Sequence, residues 1–226
     1  MKEDMVSIDG IKRWVDVSLS IGEDLPVWPG DPRPVFTAHP IEGPGSFRTT
    51  ELSMGSHTGT HVDAPAHVEA GGRTLEQIPQ DRLIGPCQLI EVDTDEPAIS
   101  WASIEPLLAP GFIRLLVKTP NSRRGYARTF DREYRALSAE ALAHLRERGY
   151  VTVGIDYLSA APYTDGWAPH DAWLAGSKNI LIEGLDLREF LPGFYYLMCL
   201  PLCLPGLDAA PARVMLGAAG GLDKKT

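Results

Sequence analysis

Five short apolar runs, at 88–92, 113–117, 151–155, 179–182 and 195–202, set the limits on what this chain can fold into. Each is rich in aliphatic and β-branched residues and is bounded by turn formers, so each is expected to be a buried strand. Between the second and third runs lies Ser138-Ala-Glu-Ala-Leu-Ala-His-Leu-Arg-Glu-Arg-Gly149, with a capping serine, acid in the first turn, arginine in the last and a glycine stop. That pattern predicts a helix. A second helix is expected over 169–175, ahead of the strand at 179. Strand and helix alternate in the second half, whereas the first half is dominated by strand and loop. The expected class is therefore α/β, a single domain over residues 1–226 with a mixed β-sheet.

The chain holds 22 glycines and 19 prolines. Four of the prolines, Pro26, Pro29, Pro32 and Pro34, fall within nine residues, where they remove backbone donors and restrict their neighbours. Residues 26–34 are therefore expected to form an ordered loop or arm. With 226 residues, 44% hydrophobic and 23% charged, the composition is that of a globular protein with a real core, which excludes disorder and fibrous repeats.

A net charge of −9 offers no basic field for a phosphate backbone, so no nucleic acid is expected as partner and a small-molecule substrate is. The stretch 194–207, interrupted by Pro201 and Pro205, is too short for the roughly 20 residues of a membrane span, so no membrane association is expected. The start, MKEDMVSIDG, lacks the apolar core of a secretory signal. With Cys87, Cys199 and Cys203 expected as reduced core thiols, this points to the cytoplasm. Residues 217–226 are expected to fray.

Chemistry concentrates in Ser56-His57-Thr58-Gly59-Thr60-His61-Val62-Asp63-Ala64-Pro65-Ala66-His67, which holds three of the six histidines. Imidazole and carboxylate are ligands shared by zinc, manganese and iron, and a cation keeps clustered histidines neutral and close. His57, His61, Asp63 and His67 are separated by even numbers, so an extended chain would aim them to one side. Gly59 and Pro65 exclude a regular helix and allow the backbone to bend around an ion. A histidine-rich turn satisfied by its own backbone is the alternative, but it leaves the grouping unexplained.

Two further candidates lie in the second half. His170 stands at the expected start of a helix, and Glu183 ends the run Asn-Ile-Leu-Ile, where a carboxylate is costly unless paired or metal-bound. His144 is expected on the solvated face of its helix. Trp28, Phe47, Tyr163, Trp167 and Trp173 are aromatic side chains for either a pocket or the core.

The segment HTGTHVDAPAH resembles the H-x-G-T-H-x-D-x-P-x-H signature of the cyclase family of metal-dependent hydrolases, which includes kynurenine formamidases and isatin hydrolases. The resemblance extends to Val27-Trp-Pro-Gly-Asp31, Val153-Gly-Ile-Asp156, Ile182-Glu-Gly-Leu185 and Gly206-Leu-Asp208. It implies a swivelling β/β/α type of fold and a homodimer or homotetramer. It also implies that His57, His61 and Asp63 bind a first metal, with His170 and Glu183 reaching a second. His67 would be the catalytic proton donor and acceptor, and Trp28 would line the substrate pocket. One or two ions, zinc or manganese, are implied as cofactors. The chain departs from the formamidases at Ile155-Asp-Tyr-Leu-Ser-Ala-Ala161, where those enzymes carry Asp-Thr-Pro-Ser, and at His170-Asp, where many carry paired histidines.

A Lewis-acidic ion with an open position polarises a carbonyl and activates water, and a histidine suits the proton transfers. The expected function is hydrolysis of amide-like bonds, in an aryl formamide or a cyclic amide or lactone. A biosynthetic cyclase or dehydratase using the same ion is an alternative, as is a metal-stabilised binding protein.

Overall fold

A computed structural model of the chain describes residues 8–40, 47–124 and 129–218. Its strands are β1 (Arg13–Asp16), β2 (Val35–Pro40), β3 (Arg48–Ser53), β4 (His61–Asp63), β5 (Ile84–Glu91), β6 (Ala98–Ile99), β7 (Arg114–Lys118), β8 (Ala136–Leu137), β9 (Thr152–Ile155), β10 (Ile180–Glu183), β11 (Gly193–Pro201) and β12 (Ala209–Ala218). The α-helices are α1 (Gln80–Leu83), α2 (Trp101–Ile104), α3 (Asn121–Arg124), α4 (Ala139–Glu147) and α5 (Trp167–Leu174). All five apolar runs are strands (β5, β7, β9, β10 and β11), and both expected helices are present as α4 and α5. Ser138 caps α4 by accepting from the Ala141 amide at 3.1 Å. Residues 26–34 form neither helix nor strand, as four prolines require.

The main sheet runs β1-β12-β11-β5-β7-β9-β10-β4. The neighbours from β5 to β10 pair in parallel and the others antiparallel, so the sheet is mixed. A further pairing of β4 with β12 closes it into a barrel. The closing strand β4 is three residues long and hydrogen-bonded on both edges, to β10 and to β12.

Period-two alternation divides the core. Leu116, Ile180, Ile182, Val62 and Leu197 join one buried cluster. Leu115, Val117, Val153, Ile155 and Leu181 belong to a second, with Leu142 and Leu145 of α4 and Trp173 and Leu174 of α5. Along β10, Glu183 therefore has the parity of Leu181 and faces the helices. Its register partner on β4 is His61, while Leu181 is partnered by Asp63. The barrel seam thus presents His61, Asp63 and Glu183 together on the helix-facing side.

Several expectations need correction. Cys87 and Cys199 are buried, but Cys203 is exposed, because the chain leaves the barrel after β11. Gly217 and Ala218 continue β12 and pair with β1, so the tail expected from 217 does not start there; 219–226 lie outside the described residues, as do 1–7 of the amino-terminal segment. Among the described residues no helix is long and apolar enough to cross a membrane. β2 and β3 form a hairpin in which every residue except Phe36 is exposed.

Candidate metal centre

His57, His61 and Asp63 come from one segment, but the backbone bends where an extended chain would run straight. Only His61 and Asp63 share the strand β4. His57 sits in the preceding turn, and His67 ends a short 3₁₀ helix, Pro65–His67, that starts on proline. Gly59 makes the bend at φ +69°, and Gly184, at φ +73°, lies directly against it. A Cβ on Gly184 would stand 2.5 Å from the Gly59 carbonyl oxygen, so only glycine permits the strand bearing Glu183 to approach the histidine segment this closely.

His170 lies on α5, and its Nδ1–H donates to the Gly166 carbonyl at 2.6 Å. The His61 Nδ1–H donates to the Gly59 carbonyl at 2.9 Å. Because a carbonyl only accepts, both rings are fixed with the proton on Nδ1, and Nε2 is the atom turned inward.

That inward atom meets carboxylates. His61 Nε2 lies 3.4 Å from Asp63 Oδ1 and 3.3 Å from Glu183 Oε2. His170 Nε2 lies 3.1 Å from Glu183 Oε1 and 3.7 Å from Asp63 Oδ2. His57 Nδ1 lies 2.9 Å from Asp63 Oδ1. The six residues named from the sequence, His57, His61, Asp63, His67, His170 and Glu183, are therefore brought to one site.

The sequence reading overlooked Asp208, which sits between two of these histidines: its Oδ2 is 3.1 Å from His57 Nε2 and 3.2 Å from His67 Nδ1. It stands just before β12, more than 140 positions from either ring, and its only sequence signal was the Gly-Leu-Asp match near the end. A further trio, Asp63, His67 and His170, offers ligand atoms within 4.8 Å of one another, as do His57, His61 and Asp63.

Both Asp63 oxygens and His61 Nε2 are fully buried without a hydrogen-bond partner among the described residues. Three carboxylates in a largely buried cluster need positive charge, supplied either by protons on the rings or by a cation. Burial opposes charge on His57, but Asp63 and Asp208 outweigh it and raise that ring to about 11. Burial is likewise outweighed by Asp63 and Glu183 at His61, and by Glu183 and Asp63 at His170, each raised to about 9. Burial disfavours ionised Asp63, yet the facing histidines hold its carboxyl well below the usual range. Glu183 is held lower too, by His170 and His61 against burial and the Asp63 charge. A site that draws protons this strongly, with orphaned donor atoms at its centre, fits a divalent cation.

The centre opens into a pocket of about 220 Å³, lined also by Trp28, Asp31, Leu158 and Ser159. Trp28 packs edge-on against Phe130 at 5.1 Å and tilted against Tyr163 at 5.4 Å. Trp173 belongs to the core, where its indole N–H donates to the Ile180 carbonyl. Phe47 and Trp167 are exposed and do not line the pocket.

Residues 15–162 match the model of the family described as putative cyclase, and the chain belongs to that family. It is 31% identical over 208 residues to a kynurenine formamidase of Maricaulis maris, covering 91% of this chain and 97% of that one. Identity to a kynurenine formamidase of Bacillus mycoides is 32%, over 90% and 97% of the two chains. A solved structure described as a potential metal-dependent hydrolase with cyclase activity superposes with a TM-score of 0.78 at 34% identity, covering 91% and 97%. Isatin hydrolase A from Labrenzia aggregata shares the fold, with a TM-score of 0.71 at 20% identity over 94% and 95%. The chain is thus a hydrolase of the cyclase family.

Proposed function

We propose that this protein is a metal-dependent hydrolase of amide-like bonds, acting on an aryl formamide or a related cyclic amide or lactone. The observation that carries this reading is the pair of Asp63 oxygens, buried without a hydrogen-bond partner among the described residues and beside His61 Nε2, behind a pocket lined by His57, His61, Glu183 and Trp28. His57, His61 and Asp63 would hold a first cation, zinc or manganese, and His170 and Glu183 would complete a second position. A divalent ion there supplies Lewis acidity, polarising a carbonyl and making water easier to deprotonate.

The chain's own residues supply the rest. Asp208 accepts from His67 Nδ1–H, leaving Nε2 as the atom that takes a proton from attacking water and returns it to the departing nitrogen. With an amide the C–N bond breaks, the new C–O bond forms, and the products are the acid and the amine; with a lactone the ring C–O bond breaks and the departing oxygen takes the proton. Trp28, braced by Phe130 and Tyr163, gives the aryl group a fixed plate.

The test is turnover of N-formylkynurenine, isatin and a simple aryl ester with and without chelator. Turnover that survives complete removal of divalent metal overturns the reading.

We also propose that the protein acts in the cytoplasm as a homodimer or homotetramer. The exposed hairpin with Val35 and Leu52, next to exposed Phe47, supports self-association, because an isolated two-stranded ribbon is marginal in water. Light scattering that finds a monomer at micromolar concentration overturns this.

A further inference from the structure

The two nitrogens of His57 meet different carboxylates. Its Nδ1 lies 2.9 Å from Asp63 Oδ1 at the buried centre, while its Nε2 lies 3.1 Å from Asp208 Oδ2. His67 brings a second ring to that same oxygen, with Nδ1 at 3.2 Å. His57, His67 and Asp208 thus form a trio whose ligand atoms all lie within 4.8 Å of one another. Their side chains are 22%, 30% and 37% exposed, against 4% or less for His61, Asp63 and Glu183, so the trio faces solvent where the centre does not.

The spacing suits a chelate. Zinc bonds of about 2.0–2.2 Å to imidazole nitrogen and carboxylate oxygen, arranged tetrahedrally, set neighbouring donor atoms about 3.3–3.6 Å apart. The two nitrogen–oxygen spacings need to open only slightly to reach that range. As hydrogen bonds alone the arrangement is lopsided: both rings load Oδ2, whereas among the described residues Oδ1 takes the Ser56 hydroxyl at 3.4 Å.

We propose that His57 Nε2, His67 Nδ1 and Asp208 form an outer site for a divalent cation of the zinc type, and that filling it stops turnover. Two nitrogens and one oxygen select zinc over magnesium or calcium, which take oxygen ligands. Coordination there removes the proton from each ring nitrogen: that of His57 goes to solvent, leaving the ring shared between inner and outer cations, and that of His67 moves to Nε2. Nε2 is the atom that has to accept a proton from water, so an occupied outer site disables it. Cations held at the centre would oppose a further positive charge, so binding at the exposed trio is expected to be weaker and more readily reversed. The site itself stands on the geometry; that filling it inhibits rests on the hydrolase reading above.

Equilibrium dialysis against graded zinc at pH 7 counts bound ions without any substrate. The wild type is expected to take up one equivalent in the micromolar range beyond those it holds tightly. His67→Ala is expected to lose that equivalent and Asp208→Asn to weaken it about tenfold or more. His39→Ala, which removes a histidine paired with Glu51 on the exposed hairpin, is expected to keep it. No weak equivalent in the wild type, or one that survives unchanged in His67→Ala and Asp208→Asn, overturns the proposal.

A kinetic arm follows formanilide turnover as zinc rises, with magnesium as the control. Inhibition is expected to track occupancy of the weak equivalent, to be absent with magnesium, and to need about tenfold more zinc in Asp208→Asn. Turnover unaffected by zinc that fills the weak equivalent overturns the proposal. If formanilide, N-formylkynurenine and isatin are all inert while the weak equivalent still depends on His67 and Asp208, the hydrolase reading falls and the outer site stands.

Discussion

Asp208 and His67 meet across the mouth of the metal centre, with Oδ2 3.2 Å from Nδ1, and the same oxygen lies 3.1 Å from His57 Nε2. Asp208 thereby orients a ring proposed to carry protons and a ring proposed to hold a cation. Asp208→Asn keeps the shape but removes the charge. Outer partners of this kind typically cost 10–100-fold in activity or metal affinity when changed, about the loss expected in kcat. Steady-state kinetics alongside a metal titration checks it; full activity in Asp208→Asn would show that the contact does not orient His67.

His61 and His67 separate holding from turning over. His61→Ala removes an inward Nε2 at the buried centre and is expected to abolish stoichiometric metal binding. His67→Ala is expected to retain at least one equivalent of metal while kcat falls by about 10²–10⁴, the range of a lost general acid–base. Metal analysis of both purified variants distinguishes the roles, and equal metal loss in both would erase the distinction.

Chelation is expected to destabilise the fold, because a cation held by the proposed ligands would tie together β4, β10 and α5. A ligand present at 100 times its dissociation constant contributes about 2.7 kcal/mol, which for a chain of this size corresponds to a Tm shift of about 5–10 °C. Scanning calorimetry before and after exhaustive chelation measures it. An unchanged Tm after verified metal removal contradicts a site at the barrel seam.

The cysteines give a pH-dependent signature away from the site. Burial pushes the Cys87 thiol up to about 12 and raises Cys199 as well, whereas Cys203 is exposed. A thiol reagent is expected to label one equivalent in the native protein at pH 8 and still one at pH 10, against three after denaturation. The sign for stability follows: the folded thiol keeps its proton above its ordinary value near 9, the unfolded one loses it first, and stability falls as pH rises from about 9 toward 12. Three equivalents from native protein at pH 8 would refute the burial of Cys87 and Cys199.

What the sequence could reveal follows the range of the forces involved. β7, β9 and β10 are legible because strands buried on both faces read as unbroken apolar runs, β5 and β11 because their apolar residues run on even where β11 exposes Phe194 and Leu200, and α4 because its cap and charges are local. β12 escaped notice because Pro211 and Gly217 interrupt its pattern, and β4 because a three-residue strand exists only through its partners. The even spacing of His57, His61, Asp63 and His67 suggested one extended face, yet just the central pair lies on a strand, since Gly59 and Pro65 turn the chain at either side. Asp208 was invisible as a contributor because its contacts to His57 and His67 are made by barrel closure, which no local pattern encodes.

Trp28 and Asp31 hang on a proline-rich loop that contributes no rung to the barrel, whereas His61 and Asp63 are anchored on β4, the strand that closes it. Replacing residues of that loop can retune which molecules enter while the ionic heart keeps its shape. A lineage built this way can change diet without relearning chemistry, and grafting loops between relatives is the natural route to altered selectivity.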